Sequence, residues 1–410
     1  MRLLSPDMRV AAGMDMAPDM ATVPDMMSEA IAFSKPPFVQ LTGDGRARLR
    51  FETRSEQALE VSLKKRGGAS TEFLATTQLD ELDFEWPPGA LAKSADIPDV
   101  SGLHNLQEVA FADLEAGATY EWIVHRGQGV EATGSFKAGQ DPSAALSLGW
   151  ISDTMFPRAT DSALALAGAA PDVILHGGDL QYMTNPLDTW NGIFHALSPL
   201  TSIAPFHSCI GNHEYEGLDE FEAQYKRLFG GHGYDASTVD YTYIDVAGVR
   251  MLLLNSEIEL AAPDSPQHRW MRARLAEVQD DPALRFAVVA FHRPFFTFSK
   301  SRPNFGARDR LHPVFQQYGV PLVFTGHNHC YERFEVDGIT YVMDGGGGAS
   351  SYDPNAHLDD VIAERPSDRD LRLIAERSYG VTLARIEPDS TIQVTRYKAD
   401  GGVTETYSIG

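Results

Sequence analysis

The sequence predicts an α/β (α+β) chain of two domains, a β-sandwich over residues 36–140 and an α/β domain over residues 141–410. Three observations support this. The length of 410 residues exceeds what one small core organises. Before Asp141, short segments alternate apolar and polar residues, as half-buried strands do. After it, short apolar runs end in Gly, Asp, Asn or His and are separated by helical stretches.

Residues 1–35 resemble neither domain, because Pro-Asp-Met recurs at 6–8, 18–20 and 24–26 among Ala, Thr and Ser. Such low-complexity sequence buries little, so it is predicted to be a disordered tether. No apolar signal-peptide region follows Met1 and Arg2, and no run reaches the length of a membrane span. Tethers of this kind often follow an export signal or a lipid anchor. We therefore expect a periplasmic or extracellular protein, for which this segment could serve as the tether.

The sandwich is predicted from four alternating segments, 47–51, 59–63, 120–124 and 132–136, with turn signals at 43–45 and 67–68. Short strands with regular turns are typical of such a domain. The α/β domain is predicted from apolar runs at 146–151, 173–175, 251–254, 286–291 and 322–324, with helices near 160–170, 217–229, 266–279 and 307–318. Buried strands of this kind carry their chemistry beyond their carboxyl ends.

The net charge of −23, from 34 Lys and Arg against 57 Asp and Glu, repels polyanions at long range. We therefore expect no nucleic-acid binding, although bound cations could still attract a small phosphate ester. The two cysteines, Cys209 and Cys330, are too few for a disulfide framework. They are predicted to be buried free thiols, with a pairing between them left open.

Five polar clusters follow apolar runs of the second domain. They offer carboxylate, amide, imidazole and phenol groups, which suit iron, zinc or manganese. An Asp can bridge two such ions, and an ion pair about 3.5–4 Å apart can clamp a phosphoryl group. The glycines before Asp179, Asn212 and His327 indicate close backbone approach. The clusters are 152–154, 178–182, 211–214, 289–292 and 326–333.

In this order the clusters resemble the metallophosphoesterase signature D…GD…GNH[ED]…VxxH…GHxH. Two details, GDxxY ending at Tyr182 and GHxHxYER ending at Arg333, make the chain similar to the purple acid phosphatase branch of the calcineurin-like superfamily. The resemblance covers roughly residues 36–408. It implies an N-terminal fibronectin-III-like sandwich followed by a four-layer αββα metallophosphoesterase domain.

The resemblance also implies the site. One metal ion, usually ferric iron, would be bound by Asp153, Asp179, Tyr182 and His329. A divalent ion (iron, zinc or manganese) would be bound by Asp179, Asn212, His292 and His327. Asp179 would bridge the two ions, and a metal-bound hydroxide would attack phosphorus. His213, with Asn212, would contact the phosphate and help to protonate the leaving oxygen.

The sequence departs from the family pattern at two places. Met155 stands where the superfamily has a His ligand, and Tyr182 is expected to replace that ligand. Between His292 and His312 there is no further histidine to touch substrate. Arg293 is the expected substrate contact there, Lys300, Arg302 and Asn304 are expected to meet the substrate or rim the cleft, and the aromatic run 295–298 is expected to line an apolar entrance.

Three functions remain open on these residues. The first is hydrolysis of phosphate monoesters, and the second is hydrolysis of phosphodiesters at the same site. The third is a non-catalytic metal-binding or adhesion protein, against which the complete ligand set argues. The physiological substrate, the two metals and the oligomeric state are left open.

Overall fold

The computed structural model describes residues 33–82, 102–127, 129–139, 141–180, 182, 186–215, 219–235 and 237–410. Most of the predicted tether, residues 1–32, lies outside this part of the chain. Its last three residues belong with the sandwich instead, because Phe33 is buried against Phe51 and Lys35 already begins the first strand. The tether boundary predicted at residue 35 is therefore placed too late.

Two four-stranded antiparallel sheets form the first domain, and all four predicted strands are present in it. Val39 and Phe51 of one sheet share a core with Val61 and Trp122 of the other, so the two sheets pack as a sandwich. The finer assignment to the fibronectin-III type stays a prediction. The sheets have the orders β1-β2-β6-β5 and β4-β3-β7-β8, with β1 Lys35–Gly43, β2 Arg46–Thr53, β3 Glu60–Lys65, β4 Ser70–Leu74, β5 Thr76–Leu82, β6 Gly102–Phe111, β7 Thr119–Arg126 and β8 Gly129–Lys137.

Within the described residues, the second domain begins with β9 Leu146–Ile151 and contains two larger sheets and six α-helices. The first sheet has the order β11-β10-β9-β19-β20-β21 and the second the order β12-β13-β14-β15-β17-β16-β18. Within these sheets β9, β10 and β11 pair in parallel, as do β13, β14 and β15. The remaining elements are α1 Ala159–Gly168, β10 Val173–His176, α2 Pro186–Thr201, β11 Phe206–Ser208, α3 Asp219–Phe229, β12 Thr242–Val246, β13 Val249–Leu253, α4 Pro266–Asp280, β14 Phe286–Ala290, α5 Phe305–Gln317, β15 Leu322–Thr325, β16 Tyr331–Val336, β17 Ile339–Asp344, α6 Leu358–Glu364, β18 Arg372–Glu376, β19 Gly380–Ile386, β20 Ile392–Lys398 and β21 Val403–Ile409.

These elements stack in four layers, helix, sheet, sheet and helix, as the resemblance implied. The two sheets face each other through Trp150 and Phe324, whose rings stack at 5.0 Å. Helices α1, α2 and α3 pack on the outer face of the first sheet, and α4, α5 and α6 pack on that of the second. No helix in the described ranges has both the length and the apolar character needed to cross a membrane.

Buried charges join the sandwich to the second domain. Glu52 on β2 is fully buried, forms ion pairs with Lys35 on β1 and Arg227 on α3, and lies 2.8 Å from His104 Nδ1 on β6. Lys35 also donates a hydrogen bond to Asn191 on α2. Both domains therefore contribute to one ionic network that water does not reach, and we call these residues the interdomain ion network.

Candidate metal centre

The five polar clusters come together at one edge of the two facing sheets. Asp153, Asp179 and Asn212 follow β9, β10 and β11, three parallel neighbours of the first sheet. His292 and His327 follow β14 and β15, parallel neighbours of the second. Because parallel strands end at the same edge, side chains far apart in the sequence meet there. The predicted placement of the polar residues at strand ends is confirmed.

Three of these residues adopt a left-handed backbone conformation that non-glycine residues rarely occupy. The φ angles are 59° for Asp153, 54° for Asp179 and 71° for His327. Each such residue costs of the order of 1 kcal/mol or more and persists only where its surroundings impose it. The shared turn at three strand ends directs all three side chains into the space between the two sheets.

Glycines let the loops approach each other, as the sequence predicted. A side chain at Gly211 would clash with Asp179, and one at Gly326 would clash with Asp153. Gly178 has a φ of 91° and lies against the backbone of Gly211. The glycine-rich turn 345–348 packs behind Asp153, since Gly347 N donates to Ser152 O at 2.9 Å. Larger residues at these positions would separate the ligand-bearing loops.

The hydroxyl oxygen of Tyr182 and three ligand atoms around it form a first group of four. Tyr182 Oη lies 2.7 Å from Asp153 Oδ1, 3.1 Å from Asp179 Oδ2 and 3.0 Å from His329 Nε2. One phenol proton can satisfy only one of these three acceptors. The other two face the hydroxyl oxygen without a proton between them, which is the arrangement a cation at this point would stabilise.

His292 Nε2 and three ligand atoms around it form a second group of four. His292 Nε2 lies 3.2 Å from Asp179 Oδ2, 3.2 Å from Asn212 Oδ1 and 3.1 Å from His327 Nδ1. Asp179, His292 and His327 are all buried, and their ligand atoms lie within 4.8 Å of one another. All seven predicted ligands thus fall into two groups, and Asp179 Oδ2 belongs to both.

These spacings suit metal ions. Two atoms bound at right angles to one cation, each at about 2.1 Å, lie about 3 Å apart. Six of the separations above are between 2.7 and 3.2 Å. The first group contains two carboxylates and a phenol, which suit a hard, highly charged ion, while the second contains only one carboxylate. The residues therefore fit a pair of ions that shares one carboxylate oxygen.

Neighbouring groups fix which atom of each ligand points into the centre. His292 Nδ1 lies 2.9 Å from Gly177 O and His329 Nδ1 lies 2.8 Å from Ser350 O, so each Nδ1 carries the proton and each Nε2 is free. Asp153 Oδ2 accepts hydrogen bonds from Ser152 Oγ at 2.6 Å and His327 N at 2.9 Å. These contacts leave Asp153 Oδ1 for the centre.

Burial disfavours negative charge on two side chains of the first ligand group. Burial raises the pKa of Asp153 to about 6, and the neighbouring Asp179 acts in the same direction. Burial and these two carboxylates also hold the pKa of the Tyr182 phenol well above its usual value. Bound cations would reverse both shifts, because positive charge favours the carboxylate and phenolate forms.

Glu214 links two of the ligand-bearing loops. Its Oε2 accepts hydrogen bonds from Asp179 N at 2.9 Å and Gly211 N at 2.8 Å, and its Oε1 accepts one from Leu180 N at 2.8 Å. Burial raises its pKa to about 8, and Asp179 adds to this shift while the three amides oppose it. Glu214 therefore positions the His213 loop.

His213 lies beside the centre without joining either ligand group. Its Nε2 is 3.9 Å from Asp179 Oδ2, its ring lies 4.3 Å from that of Tyr182, and 20% of its side chain is exposed. Its backbone amide donates to Asp179 Oδ1 at 2.8 Å. The ring is thus held at the solvent-facing side of the centre, where a substrate would enter.

The predicted substrate contact Arg293 lies behind His327, on the side away from the ligand groups. Its Nη1 is 3.2 Å from His327 Nε2, and its Nε is 2.9 Å from both oxygens of Glu257. Arg302 pairs with Glu364 at 2.6 Å. Neither group reaches the ligand atoms directly.

The aromatic run 295–298 does not line an entrance. Phe295, Phe296 and Phe298 are each at most 3% exposed and pack in the core between the second sheet and its helices. No motif of the sequence indicated Tyr352, whose ring stacks on His329 at 3.9 Å with Lys300 Nζ 4.3 Å above it. Tyr352 lies in an irregular loop outside every motif, so only the folded chain brings it to the centre.

Both cysteines are buried and free, which confirms the prediction. Met155 carries no ligand atom suited to the centre, and Tyr182 occupies the first ligand group instead. The four histidines at the centre differ from His176 and His207, which are buried elsewhere and hydrogen-bonded to neighbouring protein groups. Those two histidines are structural.

Comparison with known proteins shows which family the domain that carries these residues matches. Residues 148–331 match the family model described as calcineurin-like phosphoesterase. All seven candidate ligands lie within this part of the chain, which is a calcineurin-like metallophosphoesterase domain.

The chain is also similar to individual proteins of known type. Purple acid phosphatase 22 of Arabidopsis thaliana is 29% identical over 238 residues, which are 56% of this chain and 54% of that protein. The structure of purple acid phosphatase PPD1 from yellow lupin covers 91% of this chain and 74% of its own, with 17% identity and a TM-score of 0.72. The structure titled PhoD shares the fold at a TM-score of 0.63 and 12% identity, covering 96% of this chain and 94% of its own.

The chain thus contains a calcineurin-like phosphoesterase domain over residues 148–331 and is similar to purple acid phosphatases. The matched region spans about half the length of the first of these curated relatives.

Proposed function

We propose that this protein hydrolyses phosphate monoesters at a centre of two metal ions. The observation that carries the proposal is the shared oxygen, Asp179 Oδ2, which lies 3.1 Å from Tyr182 Oη of the first ligand group and 3.2 Å from His292 Nε2 of the second. Two ions that share a carboxylate can act on one phosphoryl group together. The family of the domain supports the same chemistry.

The two ions, once bound, would lower the pKa of a water molecule and polarise the phosphoryl oxygens. Asp153, Asp179, Tyr182 and His329 would hold the first ion. Asn212, His292 and His327, again with Asp179, would hold the second. Because Asn212 is neutral, the second ion would keep more of its positive charge than a further carboxylate would leave it.

His213 is the proposed catalytic acid. It is the one imidazole of the centre that belongs to neither ligand group, and its partial exposure gives it access to substrate. Contact with the tilted ring of Tyr182 limits its rotation. A proton held on His213 can pass to the leaving oxygen, and Asn212 beside it can donate an amide hydrogen to the phosphate.

The proposed metal pair is ferric iron in the first group and iron, zinc or manganese in the second. The phenol and two carboxylates of the first group favour a trivalent ion. Export to the periplasm or the extracellular space also stays a proposal, because the segment that suggested it lies outside the described residues. Elemental analysis and a visible spectrum of protein purified without chelators test the metal assignment.

The activity is tested with p-nitrophenyl phosphate and bis-p-nitrophenyl phosphate on protein reconstituted with each metal. We expect a higher kcat/KM on the monoester. A higher value on the diester would replace the proposal with a phosphodiesterase. Two bound metals without activity on either ester would favour a non-catalytic protein.

His213→Ala tests the acid. It should keep both metals, since His213 is not a ligand, and lose kcat by on the order of 10²-fold or more. An unchanged kcat would remove His213 from the mechanism. His312→Ala is the matched control, because His312 contacts Tyr341 and Asp337 away from the centre.

A further inference from the structure

The histidines of the two ligand groups differ in the group that faces their second ring nitrogen. His292 Nδ1 lies 2.9 Å from Gly177 O, and His329 Nδ1 lies 2.8 Å from Ser350 O. A carbonyl oxygen can only accept a hydrogen bond, so each of these rings carries its hydrogen on Nδ1 and keeps Nε2 free. Both rings are therefore ready to bind a cation through Nε2.

His327 is held in the opposite way. Its Nε2 lies 3.2 Å from Nη1 of Arg293, its one hydrogen-bond partner at that nitrogen in the part of the chain that the structure describes. A guanidinium has only donors, so His327 Nε2 accepts this hydrogen bond. The ring hydrogen of a neutral imidazole then lies on Nδ1, which is 3.1 Å from His292 Nε2. In this form the nitrogen that His327 contributes to the second ligand group has no free lone pair.

Glu257 fixes the guanidinium in this place. Both of its carboxylate oxygens lie 2.9 Å from Arg293 Nε, while Nη1 faces His327. The backbone N–H of Arg293 donates separately to Ser256 Oγ at 3.0 Å. The side chain is 35% exposed and lines an open cleft of about 400 Å³, so water can fill the space that a shorter side chain would leave. A substitution at this position removes the guanidinium and leaves the backbone contact of the loop in place.

A cation at the second ligand group needs the other form of His327. Its Nδ1 must offer a lone pair to the cation, so the ring hydrogen must be on Nε2, where it meets a donor of Arg293. We propose that Arg293 opposes occupation of the second metal position by holding His327 in the form that cannot bind a cation. The inference rests on the two-ion centre of the proposed function. Arg293 is then a positioning residue that acts through His327.

Binding of Zn²⁺ to metal-free protein, measured by competition with a chromophoric chelator, tests this role. Wild-type protein should bind two ions, and the weaker site should be the second position. Arg293→Gln should tighten the weaker site by at least about 10-fold, because water or the amide oxygen can then accept the hydrogen on His327 Nε2, and outer partners of metal ligands change affinity by about 10- to 100-fold. Arg293→Lys should keep the wild-type affinity, since an ammonium group also has only donors.

The sign of the change separates this role from a structural one. Loss of a supporting partner normally weakens metal binding, so weaker or unchanged binding of the second ion in Arg293→Gln overturns the proposal. Arg302→Gln is the matched control, because Arg302 lies on the same segment and pairs with Glu364 at 2.6 Å. It should leave both affinities unchanged. An equal gain in this control would show a general effect of lost positive charge and would also overturn the proposal.

Nuclear magnetic resonance of the metal-free protein tests the hydrogen position directly. Nitrogen-15 labelling of the histidines distinguishes a ring nitrogen that carries hydrogen from one that does not, and the His327 signals are those missing in His327→Gln. Wild-type His327 should carry its hydrogen on Nδ1, and the Nε2 form should gain population in Arg293→Gln. A wild-type His327 with its hydrogen on Nε2 would contradict the proposal even if the variant folded poorly.

The number of bound ions separates this inference from the proposed function. Fewer than two Zn²⁺ ions per wild-type chain would overturn the two-ion centre and the proposed function. Two bound ions, hydrolysis of the monoester and no gain of affinity in Arg293→Gln would leave the proposed function standing and refute the role of Arg293.

Discussion

Asp179→Asn is the substitution on which the shared centre can be tested most directly. Asp179 Oδ1 accepts a hydrogen bond from His213 N at 2.8 Å, and Oδ2 lies in both ligand groups. An asparagine must keep its carbonyl oxygen at the Oδ1 position, because a backbone N–H points there. Its NH₂ group then occupies the Oδ2 position and directs two hydrogens into the centre, where it cannot bind a cation.

The expected loss of metal affinity follows from the ligands that remain in each group. The first group keeps Asp153, Tyr182 and His329, two of which can be anionic. The second keeps Asn212, His292 and His327, all of them neutral. Changes to outer contacts of a metal ligand already weaken binding 10- to 100-fold, so loss of the ligand itself should weaken the second ion at least about 100-fold, or about 2.7 kcal/mol.

Metal content per chain, measured by elemental analysis after dialysis against metal-free buffer, should fall from about two to about one. Asp337→Asn is the control, because Asp337 shares the left-handed conformation (φ 50°) but lies outside the centre. It should retain both ions. An Asp179→Asn variant that also holds two ions would refute the shared-oxygen arrangement.

Three further substitutions have defined outcomes. Glu214→Gln should lower the free energy of unfolding by about 2–4 kcal/mol in urea titrations, since an amide sets its NH₂ group against one of three backbone donors; a loss below about 1 kcal/mol contradicts this. Tyr182→Phe should abolish the visible band of iron-loaded protein, and a coloured variant would show that the phenol is not a ligand. Burial lowers the pKa of His207 to about 3, and its Nε2 accepts from Leu41 N. As the pH falls, the unfolded chain protonates this histidine before the folded chain does, so the free energy of unfolding decreases between about pH 6.5 and about pH 3. His207→Gln should reduce the slope of the free energy of unfolding against pH by about 1.4 kcal/mol per pH unit in this range. Equal slopes in unfolding titrations of the two proteins would contradict the assignment.

The sequence predicted the centre better than its surroundings. Apolar runs that end in Asp153, Asp179 and His327 mark the ends of buried strands, and parallel strands necessarily bring such ends together. The assignment of Tyr182 as the substitute for the ligand missing at Met155 stays a prediction. Within the second domain, no helix was predicted at α2 or at α6.

What lies around the ligands depends on packing between distant segments. The run 295–298 has the composition of an apolar entrance, but three of its aromatic rings fill the space under α5. Arg293 follows a metal ligand directly, yet Glu257 from a different loop turns its guanidinium behind His327. Neither outcome is encoded by local periodicity, since each is decided by a partner about 35 residues away or more.

Through the interdomain ion network, the sandwich contributes to the stability of the second domain. A fragment that starts at residue 141 would keep Arg227 but lose Glu52, and a buried charge deprived of its partner costs about 3–5 kcal/mol. That is a large share of the roughly 5–15 kcal/mol that holds a typical native protein together. The two domains should consequently melt in one cooperative transition.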